Sequence, residues 1–268
     1  MIRIIKISLF TLTALALVVL TGFIINKNQV TTIDNVEVRI YRNTNEGFLN
    51  RDIILTTINN IDSISNLAVK DIKPDIIERQ LILNPYIEEI DCFLTLDGKL
   101  LINVKEKTPI IRIYNKDGMS MYMDNNGDFI PASNRHTPRV IIANGYIDDK
   151  VIGFNTNVHD TIYDESVFQE LYYLTNLINQ NKLLLSQINQ IYYNSKGEYD
   201  LIPELGDHII KFGKLDNSVS KLNNLDAFYK KILLIFHLLI LFFHIYFAGL
   251  AYPFLHKVYK LYHQIHNL

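Results

Sequence analysis

The sequence is poor in the residues that build disulfide frameworks, zinc sites and nucleic-acid surfaces. Its 268 residues include one cysteine, Cys92, which excludes an intramolecular disulfide and any CxxC metal motif. We expect this thiol to be a small buried apolar side chain. Lysine and arginine number 26 against 28 aspartate and glutamate, so the net charge is -2. Proteins that neutralise several phosphates carry a basic excess, and this balance therefore argues against nucleic-acid binding.

Motifs of the common enzyme classes are also missing. GxGxxG and GxxxxGK[ST], the glycine-rich loops that cradle phosphates, do not occur, and neither do HExxH and GxSxG. Residues 124–128 resemble part of a calcium loop, but the last ligand position would be Ser133, which has no carboxylate. We therefore expect a turn at this segment and no metal. The missing motifs also leave no candidate catalytic residue and no expected cofactor.

The sequence contains two apolar segments with few charged residues, and the first comprises residues 7–25. Its nineteen residues carry no charge, and as a helix they would extend about 28 Å, enough to cross a bilayer. A cleaved signal peptide has a shorter apolar segment and a small-residue cleavage site, so a retained membrane anchor is the preferred interpretation. Arg3 and Lys6 precede the segment, which favours residues 1–6 in the cytoplasm and the following chain outside it.

The second apolar segment, residues 232–268, has a composition unlike that of the preceding chain. It contains no aspartate or glutamate, and its only lysines are Lys257 and Lys260. Residues 232–255 could form a second membrane span, because the histidines within them can be neutral. The alternatives are an amphipathic tail and an end produced by a change of reading frame after Lys231.

Between the apolar segments, residues 33–107 have the pattern of a small α+β domain. Alternation of apolar and polar residues predicts strands, and i, i+4 spacing predicts helices. The predicted elements are a strand at 33–41 and helices at 50–60 and 74–83. Two further alternating segments flank Asp97-Gly98, a dipeptide typical of a tight β-hairpin. The expected order is β-α-α-β-β.

Residues 108–231 have a pattern that is mostly β. Asp117-Gly118 and Asn126-Gly127 separate alternating segments, which predicts consecutive hairpins. Later strands are expected at 189–194, 198–203 and 208–212. Helical spacing of apolar residues predicts one helix after a cap at Asp164 and a last helix at 216–231. We expect a mostly antiparallel β domain with two helices.

Several local motifs occur in a fixed order along this pattern. The segment 104–109 has the form V-x-E-x-x-P, 122–127 has the form Y-x-D-x-x-G, and 138–145 has the form of the strand that follows. Later matches are Tyr199, Pro203, Gly206, Asp207 and Gly213, and then Lys221, Leu225, Phe228 and Tyr229 in the last helix. Together with the predicted anchor, the pattern resembles the FtsQ/DivIB family of bacterial cell-division proteins, particularly its Bacteroidota-like members.

The resemblance implies an α+β protein with a transmembrane helix, a POTRA domain at 33–107, a β domain at 108–231 and an atypical apolar tail. It implies a non-enzymatic scaffold in the inner membrane at the division septum, with its bulk in the periplasm. Such a scaffold links early and late division proteins and helps to control septal peptidoglycan synthesis. The implied partners are FtsB and FtsL, followed by FtsW, FtsI and FtsK.

In the family, the last helix is followed by a terminal strand where FtsB adds a strand to the sheet. Here residues 232–268 occupy that place, so a docking strand at the end of the chain is not expected. The candidate partner-binding residues lie on the late strands instead: Tyr199, Leu201, Ile210 and Phe212. A two-span membrane sensor and a POTRA-bearing transport or secretion component remain the alternative functions.

Overall fold

A computed structural model describes residues 10, 12–19, 36–61, 73–95 and 99–246. The chain divides into two units between Lys107 and Thr108. Most of the predicted anchor lies outside the described residues, but Phe10 and residues 12–19 within it are helical. Asp97-Gly98 and residues 247–268 also lie outside them. Within the described part of the chain, no helix combines the length and the apolar character that a membrane crossing requires.

The first unit contains a three-stranded sheet and two helices in the described residues. They are β1 (Val36–Tyr41), α1 (Arg51–Ile61), α2 (Pro74–Leu81), β2 (Ile87–Leu94) and β3 (Leu100–Glu106). The sheet order is β1-β3-β2, with β1 parallel and β2 antiparallel to β3. This confirms the predicted β-α-α-β-β order.

Both helices of the first unit form as their sequences predict. The side-chain oxygen of Asn50 accepts a 2.9 Å hydrogen bond from Ile53 N at the start of α1. Proline at the first position begins α2. Each helix buries one apolar face against the sheet, and Cys92 on β2 lies in the same core with 5% exposure. Burial is the main reason why the pKa of the Cys92 thiol is raised to about 12.

Glu106, in the V-x-E-x-x-P motif, fastens the loop between β1 and α1 to the end of β3. The carboxylate is 4% exposed, and its two oxygens accept hydrogen bonds from Phe48 N at 2.7 Å and Leu49 N at 3.1 Å. Arg42 lies 3.8 Å from the same carboxylate. A Cβ at Gly47 would meet the ends of the Arg42 and Glu106 side chains, so any other residue there would have to displace the carboxylate from its position.

The second unit is a seven-stranded sheet with helices on one face. Its strands are β4 (Pro109–Tyr114), β5 (Ser120–Asp124), β6 (Phe129–Pro131), β7 (Ile141–Gly145), β8 (Ile188–Tyr193), β9 (Tyr199–Pro203) and β10 (Ile210–Gly213). Its helices are a 3-10 turn (Thr161–Tyr163), α3 (Val167–Asn179), α4 (Lys182–Gln187) and α5 (Ser218–Tyr246). One core joins Ile111 and Ile113 on β4 to Leu171 and Leu174 on α3 and to Leu222 on α5.

The sheet is mixed: the hairpins expected at Asp117-Gly118 and Asn126-Gly127 form, but two parallel pairs occur as well. Its order is β10-β9-β8-β7-β4-β5-β6. The β4–β5, β5–β6, β8–β9 and β9–β10 pairs are antiparallel, but β7 pairs in parallel with both β4 and β8. Alternation and turn residues predict hairpins between strands that are neighbours in sequence. The position of β7 instead depends on the connection from β6, which passes β5 and β4 before β7 pairs with β4.

The helices of the second unit also differ from the prediction. There are three α-helices in the described residues where two were expected. Helix α4 was missed because six residues are too few to show a helical period. It is capped by Asn181, whose side-chain oxygen accepts hydrogen bonds from Leu183 N and Leu184 N. Helix α5 does not end at Lys231, since residues 232–246 contain neither proline nor glycine to interrupt it.

The Y-x-D-x-x-G motif forms the turn between β5 and β6, as predicted. Asp124 is fully buried, and its Oδ1 accepts hydrogen bonds from Asn126 N at 2.9 Å and Asp128 N at 2.8 Å. Gly127 has φ +88°, a backbone conformation that L side chains rarely adopt. A Cβ there would also lie 2.6 Å from Val158 Cγ1, so the turn packs too closely for any other residue.

We predict that Glu106→Gln destabilises the first unit by about 1–3 kcal/mol, because the new amide NH₂ would face a buried main-chain N–H that then lacks an acceptor. Thermal unfolding and amide hydrogen exchange at Phe48 and Leu49 measure the effect in the full chain. Glu89→Gln is the matched control, since the Glu89 side chain is 72% exposed. Equal effects of the two substitutions would refute the structural role of Glu106.

Gly127→Ala is predicted to be more destabilising than Gly118→Ala by about 1–3 kcal/mol, the usual cost of overpacking. Both glycines have positive φ, at +88° and +80°, but a Cβ at Gly118 meets nothing within 4 Å. The pair therefore separates the collision with Val158 from the backbone cost. Denaturant unfolding of the two variants gives the difference, and a value near zero would contradict the predicted collision.

Candidate partner-binding edge of the second unit

Strand β10 forms one edge of the seven-stranded sheet. It pairs with β9 through Ile210 opposite Leu201 and Lys211 opposite Asp200. In the described range up to residue 246, no strand pairs with its outer side. An edge strand presents main-chain N–H and C=O groups to which an extended peptide can add. The geometry of β10 therefore supports strand addition.

The opposite edge, β6, is shielded. Asp128 and Asn157 form an antiparallel bridge, and Phe129 N donates a 3.2 Å hydrogen bond to Thr156 O. Pro131 at the end of β6 has no N–H to donate. The connection that precedes α3 thus occupies main-chain groups of β6, and β10 is the more accessible of the two edges.

The structure places the four predicted partner-binding residues in or against the core of the second unit. Tyr199, Leu201 and Phe212 are 1%, 0% and 6% exposed, and Ile210 is partly buried against the same core. Their side chains therefore support β9 and β10 from within. Partner binding by these four side chains stays a prediction. Their burial leaves the main chain of β10 as the part of the site that a partner could reach.

Tyr199 links β9 to α3. Its hydroxyl donates a short hydrogen bond to Oε2 of Glu170, and its ring packs 5.1 Å from that of Tyr193. Burial is the main reason why the pKa of Tyr199 lies well above its usual value, and the bond to Glu170 acts in the same direction. The phenol is therefore neutral and acts as a hydrogen-bond donor.

The exposed side chains on β10 and directly beside it include Ile209, Lys211 and Lys214, with the exposed acids Asp207 before the strand and Asp216 after it. Ile209 is 55% exposed directly before the strand. Lys211 forms a 2.7 Å ion pair with Asp200, and Lys221 lies 5.3 Å from the Phe212 ring and donates to Lys214 O at 2.7 Å. Lysine at a sheet edge discourages pairing between identical copies. The sequence did not identify Ile209 as a site residue, because its exposure depends on the residue at which β10 begins.

Helix α5 supports β10 from the core side. Leu222 and Tyr229 are buried, and the Tyr229 hydroxyl lies 3.3 Å from Nε2 of His208. Asp226 accepts a 2.9 Å hydrogen bond from the Asn181 amide and forms a 2.6 Å ion pair with Lys230. These contacts fix the first half of α5 to α4 and to the segment that leads into β10.

The chemistry that the edge at β10 presents is mainly that of its main chain. Over the described residues, no group of three or more His, Cys, Asp or Glu side chains is placed to hold a metal ion. Strand β10 offers main-chain hydrogen bonding beside the exposed side chains of Ile209 and Lys211. This chemistry suits recognition of an extended polypeptide.

We predict that acid weakens the attachment of α5. Lys230 chiefly, and Asn181 as well, hold the pKa of Asp226 below its ordinary value of 3.8. The carboxylate therefore contributes stability above pH 3.8, and this contribution is lost as the pH falls through the lowered pKa. Hydrogen-exchange protection of α5 should fall there in the natural protein and not in Asp226→Asn.

The control for this measurement is Asp216→Asn. Asp216 also contacts a lysine, at 3.2 Å from Lys221, but its side chain is 66% exposed. This variant should keep the acid-dependent loss of α5 protection. An unchanged acid response in Asp226→Asn would show that another group is responsible.

Two family models match the chain in succession. A POTRA-like domain matches residues 31–105, and the model described as "FtsQ/DivIB, C-terminal related" matches residues 108–236. The second match extends five residues beyond Lys231 into α5. No curated protein matches the chain significantly. The family is non-enzymatic and its members are division-associated membrane proteins. The resemblance found in the sequence is thereby confirmed, and the chain belongs to the FtsQ/DivIB family of cell-division proteins.

Proposed function

We propose that this protein is a scaffold of the bacterial division complex. Residues 7–25 anchor it in the inner membrane with residues 1–6 in the cytoplasm, and both units lie outside the cytoplasm at the division septum. There it links early and late division proteins and helps to control septal peptidoglycan synthesis. Family membership supports the division role, and the uncharged segment 7–25 supports the anchor.

The observation that carries the proposal is the accessible edge at β10. We propose that a strand of FtsB pairs with β10, that FtsL joins through the same assembly, and that FtsW, FtsI and FtsK are reached from it. In the described residues after β10 the chain forms α5 and no further strand. Strand β10 therefore takes the docking role that a terminal strand has in the family. Main-chain hydrogen bonds supply affinity in such an arrangement.

Side chains occupy main-chain groups at both edges of the first sheet, which supports β10 as the docking strand. On β2, Cys92 N donates a 2.7 Å hydrogen bond to Oε1 of Glu78. On β1, Val36 O accepts a 3.0 Å hydrogen bond from Arg51. An incoming strand would have to displace these contacts. We propose that the first unit serves recruitment and membrane-proximal contacts through its other surfaces.

Charge defines the partner strand further. Lys211 lies on β10, Lys214 directly after it and Lys221 in the first turn of α5. Lys211 and Lys221 are paired with Asp200 and Asp216, but the Lys211 side chain is still 72% exposed. Acidic residues on the partner strand would complement this rim, and opposite charges across a strand pair are favourable. We therefore propose that the strand of FtsB that pairs with β10 is flanked by aspartate or glutamate.

We predict that a photo-crosslinking benzoylphenylalanine in place of Ile209 captures FtsB in living cells, whereas the same residue in place of Ile162 does not. The two isoleucines are matched, with 55% and 53% exposure, but Ile162 lies in the 3-10 turn before α3. Immunoblots against FtsB measure the yields. Equal capture at both positions, or capture at Ile162 alone, would refute docking at β10.

Depletion of the protein tests the division role itself. Filamentous cells with blocked septa are expected, as seen by microscopy of membrane-stained cells. Normal septation combined with a defect in secretion or in a signalling response would refute the division role and favour the transport or sensor alternatives.

A further inference from the structure

The sheet of the second unit has a face that carries no helix. Ile111 and Ile113 on β4 point into the core beneath the helices. Alternation along the strand therefore places Arg112 and Tyr114 on the opposite side of the sheet, here called the outer face. The side chains on this face near its centre are Arg112 and Tyr114 on β4, Tyr122 on β5, Ile142 and Asn144 on β7, and Gln190 on β8. Tyr122 is fully buried, whereas the other five are partly exposed.

Arg112 is held in a fixed position on the outer face. Its guanidinium carbon lies 4.8 Å from the Tyr114 ring centroid and 5.2 Å from that of Tyr122, and Nη2 donates a 3.1 Å hydrogen bond to Ser120 Oγ. Two aromatic rings and a hydroxyl therefore fix the plane of the guanidinium. A cation positioned in advance loses little freedom when it binds a planar anion.

The charge of Arg112 has no acidic counterpart in the described part of the protein. None of the ion pairs formed there includes it. Its Nε is buried and makes no hydrogen bond. A partly buried guanidinium with unused donors is costly unless an anion satisfies it. The buried Nε is out of reach of a ligand, but a carboxylate on the outer face would supply the counter-charge that Arg112 lacks.

We propose that Arg112 is the centre of a binding site for the carboxylate of an acidic peptide that lies across the outer face. A carboxylate and a guanidinium match in geometry and in charge, since each carries one unit. A phosphate group carries about −1.5 to −2 at neutral pH and would need a second cation. Among the described strand residues of this sheet, the other cation is Lys211, which is already paired with Asp200.

Neighbouring amides indicate that the carboxylate belongs to a peptide. Gln190 Nε2 donates a 2.7 Å hydrogen bond to Asn144 Oδ1, which orients both side chains. The Asn144 NH₂ and the Gln190 oxygen are then placed to bind peptide C=O and N–H groups. Both residues are partly buried and lie on the two strands next to β4 in the order β4-β7-β8.

The site is separate from the β10 edge. Strands β7, β8 and β9 lie between β4 and β10, which corresponds to about 19 Å at the usual spacing of neighbouring strands. Occupation of the outer face therefore does not require or block strand addition at β10. The proposal stands or falls independently of the docking of FtsB.

Capped peptides test the site on the full chain in detergent micelles. The probes are acetyl-Ser-Glu-Ser-amide and acetyl-Ser-Gln-Ser-amide, which differ only in the carboxylate. The Nε–H resonance of Arg112 and the side-chain amide resonances of Asn144 and Gln190 report binding by NMR. We expect saturable shifts with the glutamate peptide and at least tenfold weaker binding of the glutamine peptide. Equal shifts with both peptides would overturn the proposal.

Two variants locate the effect. Arg112→Lys keeps the charge but loses the planar fork, and we expect at least fivefold weaker binding of the glutamate peptide, read from the amide resonances. Arg139→Lys is the control, because Arg139 is paired with Glu204 at 3.1 Å and its side chain is 85% exposed. If Arg112→Lys fails to fold, the comparison of the two peptides on the natural protein still decides. Unchanged binding in a folded Arg112→Lys protein would overturn the assignment.

Simple anions decide the chemical class. Sodium acetate and inorganic phosphate, each compared with chloride at the same ionic strength, should both shift the Arg112 resonance, with phosphate binding no more tightly than acetate. Tighter binding of phosphate by tenfold or more would overturn the carboxylate assignment and point to a phosphorylated or lipid ligand instead.

Discussion

Main-chain N–H groups that leave regular structure must find an acceptor, and two buried carboxylates meet this need in the two units. Glu106 accepts from Phe48 N and Leu49 N in the first unit. Asp124 accepts from Asn126 N and Asp128 N in the second. Each acid closes a loop that has no helix or strand partner of its own. The family motifs V-x-E-x-x-P and Y-x-D-x-x-G are thus explained by the satisfaction of main-chain donors.

Main-chain groups at the edges of the two sheets also need hydrogen-bond partners, and three of the four edges find them within the protein. Glu78 and Arg51 occupy main-chain groups of β2 and β1, and the connection before α3 pairs with β6. Strand β10 remains, with lysine on it and beside it and a bulge that shortens it. Lysine and irregularity hinder pairing between identical copies while leaving the strand open to a complementary partner. Specific recognition and protection from aggregation therefore reside in one short strand.

Local periodicity predicted most of the elements, and tertiary pairing explains the failures. The spacing of Ile54 and Ile58, or of Leu171 and Leu174, identifies a helix because burial on one face produces that spacing. The parallel position of β7 leaves no such mark, because it depends on pairing between distant segments. The candidate site shows the same limit. Alternation of apolar and polar residues located β9 and β10, but the apolar residues that stand out on these strands face the core. Whether a strand lies at the edge depends on the order of all strands in the sheet, which the sequence of one strand does not show.

Helix α5 continues without interruption from a first half packed in the core to a second half that carries exposed leucines. Leu222 and Tyr229 are buried against the second unit, whereas Leu234 and Leu238 are 60% and 57% exposed. Its 29 residues extend about 44 Å at 1.5 Å per residue, which makes the helix a stiff rod. A force applied to the second half is therefore transmitted as torque to the first half, where the hydrogen bond between Asn181 and Asp226 resists it. Because Leu222 and Tyr229 share a core with Phe212 on β10, mechanical load on the helix and occupancy of the sheet edge act on the same part of the domain.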